Sequence, residues 1–197
     1  MFYSTIWFMK NFITLIMLIL GASAYGQDAI VNTEYIDALK KLKNEATDTL
    51  SAEYFYKPAG IKHDFGNYAG SIEDCNKAHK LNPESAKILY NRGVSKLELR
   101  KYRDARDDFS AAIKIDPKMV SAYNNRAICK LRLSKYQSAL DDCNKAIEID
   151  PTHASAYQNR GMAKIKMDMT NTACEDFKKA YKLGEKISLE AIEKFCQ

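Results

Sequence analysis

Shifted by 34 residues, the sequence falls into register with itself. Asn91-Arg92-Gly93 comes to lie over Asn125-Arg126-Ala127 and Asn159-Arg160-Gly161, and Tyr68 over Tyr102 and Tyr136. The same offset stacks Ala105, Ala139 and Ala173, then Cys75, Phe109, Cys143 and Phe177. It also stacks Ala78, Ala112, Ala146 and Ala180, and finally Pro83, Pro117 and Pro151. A chain built this way is a tandem array: each unit buries its apolar face on its neighbours, and there is no single central core.

Within a unit the pattern is that of two helices. From Ala86 to Leu99 apolar residues recur at helical spacing, Arg100-Lys101 interrupts them, Tyr102 to Ile115 resumes, and Asp116-Pro117 ends the run. Proline cannot continue a helix, because it lacks the N–H and its ring meets the preceding turn. Helices this short, ~20 Å each, are held by packing. Gly93, Ala105 and Ala112 are small enough to let paired backbones approach, while Phe109 and Tyr102 fill the space between. A bulky residue in the Gly93 or Ala112 column is expected to overpack the crossing, at roughly 1–3 kcal/mol.

On these columns the units resemble tetratricopeptide repeats (TPR). The second unit reads Leu89, Gly93, Ala105, Phe109, Ala112, Pro117, and the third Tyr123, Ala127, Ala139, Cys143, Ala146, Pro151. The fourth reads Tyr157, Gly161, Ala173, Phe177, Ala180, with Glu185 in the proline column. The resemblance implies an all-α TPR solenoid, a right-handed superhelical stack of antiparallel helix pairs with flanking capping helices. Four units are expected, at 52–85, 86–119, 120–153 and 154–186. The first departs from the pattern: Lys57-Pro58-Ala59 stands where the others have Asn-Arg-Gly or Asn-Arg-Ala, so its first helix either kinks or starts at Pro58. In the flank 27–51, Thr33–Ala46 reads as an amphipathic helix, and in 187–197 so does Ile187–Phe195. Both are expected to be caps over the ends of the array.

The first 26 residues are of another kind. From Met1 to Gln27 there is no acid and the only base is Lys10. Phe12 to Leu20 is an apolar run, and Gly21-Ala22-Ser23-Ala24 follows it. That is the pattern of a secretory signal peptide, cleaved after Ala24 or Gly26. The run spans ~14 Å as a helix, against ~30 Å of bilayer hydrocarbon, so an uncleaved anchor is the weaker reading. Ser23 stands where a lipoprotein would carry its acylated cysteine. The expectation is an exported protein, periplasmic or secreted and most readily of a bacterial envelope, with no stable membrane anchor once the signal is removed. Apolar content of 46% and a net charge of +5 exclude a disordered chain. The charges of both signs are interspersed, which argues against a nucleic-acid partner.

In an exported compartment the cysteines matter. Cys75, Cys129 and Cys143 fall in core columns. Cys174 and Cys196 lie about equally far on either side of Gly184-Glu185-Lys186, so an antiparallel last helix brings them level. They are expected to form a disulfide, the alternative being two reduced thiols.

Chemistry is otherwise sparse. There is no phosphate loop, no nucleophile elbow and no metal-binding helix motif. His63, His79 and His153 have no metal-ligand spacing. No catalytic residue, cofactor or metal is expected. Acidic pairs recur in every unit, as Glu73-Asp74, Asp107-Asp108, Asp141-Asp142 and Glu175-Asp176. Antiparallel helices set Arg92, Arg126 and Arg160 opposite Asp108, Asp142 and Asp176, giving either a ladder of ion pairs or solvated charges. Pro58 takes the arginine's place in the first unit and leaves Asp74 without that partner. A lysine column, Lys62, Lys96, Lys130 and Lys164, reads as side chains lying over the helix pairs, in preference to a site for an acidic ligand.

The TPR resemblance places ligands on the concave face of the first helices. Carried over here, that face holds Lys87, Tyr90, Asn91 and Val94, then Asn124, Asn125 and Ile128, then Gln158, Asn159 and Met162. Amides both donate and accept, which suits capture of a peptide backbone; the alternative is that these asparagines only support the fold. Val94 and Ile128 are apolar where some TPR proteins carry the bases that clamp a C-terminal carboxylate. The sequence therefore reads as an exported, non-catalytic scaffold for a protein or peptide partner. The alternative is a structural or oligomerisation module acting through its convex face or caps.

Overall fold

The computed structural model describes residues 51–196 together with Ile36, Asp37 and Leu39. The proposed signal at 1–26 lies outside the described residues, and so does the flank 27–51 apart from Ser51 and those three helical positions. Among the described residues there are nine helices beyond the flank and no strand. In chain order they are α1 (Ala52–Asp64), α2 (Tyr68–Leu81), α3 (Ala86–Glu98), α4 (Tyr102–Ile115) and α5 (Val120–Arg132). They continue with α6 (Tyr136–Ile149), α7 (Ala154–Ile165), α8 (Thr170–Lys182) and α9 (Ile187–Phe195). Each packs chiefly on its neighbours in sequence, with further contacts between successive first helices α1, α3, α5 and α7. This is a solenoid of four helix pairs.

Local chemistry sets the boundaries. Ser51, Asn67 and Ser85 cap α1, α2 and α3, their side chains accepting from the N–H of Tyr54, Gly70 and Ile88. α4 and α6 stop just before Asp-Pro, where Asp116 and Asp150 accept the N–H groups of Lys118 and Thr152 and shape the turn. Between the two helices of each pair the chain turns through a left-handed residue: Gly66, Arg100, Ser134 and Asp168. The N–H of the next residue returns to the carbonyl of Lys62, Lys96, Lys130 or Lys164 at 2.7–2.9 Å, closing the first helix.

α1 runs from Ala52 through Pro58 to Asp64, so it does not start at the proline. Ala59 beyond it is fully buried in a cluster with Cys75, Ala78 and Ile88. The burial of that cluster holds the helix across the missing hydrogen bond.

The crossing inside each pair follows one rule of size. Cys75 and Cys143 face Ala59 and Ala127 in shared clusters. Phe109 and Phe177, fully buried, face Gly93 and Gly161. A Cβ added at Gly93 would lie 2.8 Å from the Phe109 ring, and one at Gly161 2.5 Å from that of Phe177. The larger ring and the smaller backbone position therefore come together in units two and four.

α9 covers the far end. Phe195 stacks on Phe177 with ring centroids 6.3 Å apart, Ala191 joins the same cluster, and a disulfide joins Cys174 to Cys196 with a Cα–Cα distance of 5.7 Å. Among the described residues no helix is long and apolar enough to cross a membrane.

Candidate functional site

The charged columns lie inside the solenoid. Asp108, Asp142 and Asp176 are buried, whereas their neighbours Asp107, Asp141 and Glu175 are exposed. Arg126 grips Asp142 with two bonds, Nε at 2.8 Å and Nη2 at 2.6 Å. Arg92 and Arg160 hold Asp108 and Asp176 in the same way. The third guanidinium nitrogen, Nη1, reaches back to the previous unit, donating to Asn76, Ser110 and Asn144 from Arg92, Arg126 and Arg160. Each arginine thus ties three helices together.

The lysine column ends on the same aspartates, not in solvent. Lys96, Lys130 and Lys164 place Nζ 2.7–2.8 Å from Asp108, Asp142 and Asp176. The reason is visible in the spacing: Arg and Lys four residues apart share one face of the helix. In the first unit, where Pro58 replaces the arginine, Asp74 is held by Lys62 at 2.6 Å and by Lys77 at 3.7 Å. These groups are occupied, which removes the lysine column as a ligand site.

A second ladder runs along the concave face. Asn91 donates through Nδ2 to the Tyr56 hydroxyl at 2.9 Å, Asn125 to that of Tyr90 at 3.1 Å, and Asn159 to Asn124 Oδ1 at 2.8 Å. The next acceptor, Gln158 Oε1, takes the Ser188 hydroxyl of α9, so the cap completes the series. Asn124 is only 6% exposed, which corrects its assignment to an open groove surface. Gln158 is engaged by the cap. Burial raises the titration of the Tyr56 and Tyr90 hydroxyls, partly offset by the Asn91 amide at Tyr56 and by Ser121 and then Asn125 at Tyr90. Spacing alone did not distinguish an asparagine facing a ligand from one facing the next helix.

Two shallow, half-open cavities lie on this face. One of about 180 Å³ is walled by Gly60, His63, Asp64, Tyr90, Asn91 and Val94. The other, about 170 Å³, lies between α5 and α7 and is walled by Ile128, Leu131, Arg132, Asn159, Met162 and Lys166, with Tyr136 beside them. Lys87 is exposed at the start of α3. His63, Ser71 and Ser95, unremarked in the repeat pattern, form a chain at the first cavity: His63 Nδ1 to Ser95 Oγ at 3.1 Å, and Ser95 to Ser71 at 2.9 Å. They interrupt columns that are otherwise apolar, which was the available signal. Among the described residues no group of three His, Cys, Asp or Glu side chains is placed to hold a metal.

The three unpaired thiols are core groups. Burial, above all, pushes Cys129 and Cys143 up to about 12 and Cys75 up to about 11, from 9.0. Unfolded thiols lose their protons near pH 9 while the folded ones keep theirs. The unfolded state then binds fewer protons, so stability falls as pH rises from about 9 to about 12. Urea midpoints at pH 8 and pH 10 are expected to show this fall, and alanine at all three positions is expected to reduce it. An equal fall in both proteins would refute the assignment.

The fold and these repeated contacts define a class. Models of the tetratricopeptide repeat match residues 86–119 and 120–153, and a second such model matches 143–175. The matched units are tetratricopeptide repeats, and the described residues form a TPR-like solenoid. A crystal structure of MamA is similar at 24% identity and a TM-score of 0.71, over 83% of this chain and 96% of that one. YrrB, a TPR protein with an unusual peptide-binding site, matches at 19% identity and TM-score 0.69, over 89% and 97%. The first TPR of Spaghetti (RPAP3), bound to the HSP90 peptide SRMEEVD, matches at 26% and 0.55, over 57% and 90%. A search of curated proteins finds no match.

Proposed function

We propose that this chain is an exported, non-catalytic scaffold that holds a protein or peptide partner on the concave face of its first helices. The observation that carries the reading is the pair of open cavities between those helices, lined by half-buried Val94, Ile128 and Met162. The arginine, lysine and aspartate columns are satisfied internally, which leaves these walls as the accessible chemistry of the groove. YrrB and the Spaghetti TPR, one described by a peptide-binding site and the other bound to a peptide, add support at the level of fold. Export rests on the leader at 1–26, and a Cys174–Cys196 disulfide suits an oxidising compartment.

A photo-crosslinking residue at Ile128 is expected to capture a partner in intact cells, while one at exposed Glu148 on α6 is not. Capture from Glu148 alone would move the site to the convex side. Exposed Tyr181, Ile187 and Leu189 favour a second reading, association through the C-terminal cap. Light scattering of an Ile187→Lys variant tests it, since a cap-mediated oligomer would dissociate.

A further inference from the structure

The two cavities are the same place in the array seen twice. Gly60, His63, Asp64, Asn91 and Val94 of the first correspond, 68 residues on, to Ile128, Leu131, Arg132, Asn159 and Met162 of the second. Their chemistry differs. Both have largely apolar walls, but the first carries an acid and an imidazole, Asp64 and His63, and the second two bases, Arg132 and Lys166. The difference extends along the rim formed by the ends of the first helices, where the successive residues are Asp64, Glu98, Arg132 and Lys166. All four are exposed, and among the described residues none makes an ion pair, in contrast to the saturated interior columns. The turns beneath carry Arg100, Lys101 and Asp168, so the polarity belongs to the groove wall and not to the whole edge.

We propose that the groove selects its partner by charge polarity. It takes an extended peptide segment whose apolar side chain, flanked by a carboxylate, sits between Ile128, Met162, Arg132 and Lys166, and whose cationic side chain lies at Asp64 and Glu98. The proposal rests on the concave-face reading above and deepens it. Charge complementarity commits the site to this occupant: two unpaired bases beside an apolar floor fit an apolar residue next to an acid, and two unpaired acids fit a lysine or arginine. With adjacent first helices ~10 Å apart, the cavities are about 20 Å apart, or roughly six residues of extended chain. That spacing is the register between the cationic and acidic ends.

Panning the full mature chain against a phage-displayed random dodecapeptide library tests it. Selected peptides are expected to pair an acid with a neighbouring Leu, Ile, Met or Phe, and to carry Lys or Arg about six residues away. Affinity for such a peptide is expected to drop about tenfold or more in Arg132→Glu/Lys166→Glu, and to return when the peptide's own charges are exchanged. These side chains are exposed and unpaired, so an unchanged circular-dichroism melt accompanies the loss. Amidated peptides separate a terminal carboxylate from a side-chain one, and either identifies the predicted group. Selected peptides without the charge pattern, or an affinity unmoved by the reversal, overturn polarity while leaving groove binding intact. An empty selection together with no crosslink from Ile128 overturns both. A self-association abolished by the same reversal overturns the peptide assignment in favour of a second copy of this chain.

Discussion

Replacing Asp142 with alanine is expected to destabilise the protein by about 3–5 kcal/mol, whereas the same change at Asp141, one residue away, is expected to stay within about 0.5 kcal/mol. The two carboxylates differ only in direction. Asp141 faces solvent and meets Gln137 of its own helix. The Asp142 side chain is 5% exposed and is the shared counter-ion of Arg126 and Lys130, themselves mostly covered. Its removal leaves two cations between packed helices and releases the guanidinium that ties α5 to Ser110 of α4. Breaking a buried pair costs far more than the pair is worth relative to apolar residues. The triple variant Asp142→Leu/Arg126→Met/Lys130→Met is therefore expected to recover most of the loss. Urea denaturation followed by circular dichroism gives both numbers. A loss below about 1 kcal/mol for Asp142→Ala would mean that this carboxylate is effectively solvated.

The second large effect concerns the fourth crossing. Gly161→Ala alone is expected to cost about 1–3 kcal/mol, despite alanine's better helix propensity, because its Cβ would lie 2.5 Å from the Phe177 ring. Phe177→Cys alone empties the space of a fully buried ring and is expected to cost about 3 kcal/mol. Made together, the two changes reproduce the Ala127–Cys143 crossing of the third unit, so their costs are expected to fall short of additivity by about 1–3 kcal/mol. Additive losses would show that the two positions do not share one packing problem. Phe195 of α9 also stacks on Phe177, so the double variant should not fully regain the wild-type value.

Much of the architecture was legible because repetition turns weak local signals into columns. A lone Gly93 says little; Gly93 and Gly161 facing Phe109 and Phe177, alternating with Ala and Cys, state a packing rule. The charge network was only half legible. Period and antiparallel pairing set Arg opposite Asp, but the lysine at the next turn looked like a surface residue until its shared face with the arginine was considered. The turns were largely opaque: Arg100, Ser134 and Asp168 adopt the left-handed conformation that Gly66 takes without cost, and only Asp168 is of a residue type that favours it. The groove was the least legible. Tyr90, Asn125 and Asn159 had the right composition for a ligand surface, yet their hydrogen-bond partners are the neighbouring helices. Of the open walls, Ile128 and Met162 were legible in the sequence, while Arg132 and Lys166, whose columns are not uniform, were not.

The bond between Cys174 and Cys196 gives the array a direction. In a stack held only by nearest-neighbour contacts, structure is lost from the ends inward. Here the last helix pair is stapled, whereas the first described pair contains a helix interrupted by Pro58. Fraying, proteolysis or a pulling force should therefore consume the acidic end of the groove first, while the basic end near Arg132 and Lys166 persists. A partner held at both ends would be let go one anchor at a time, always starting from the same side.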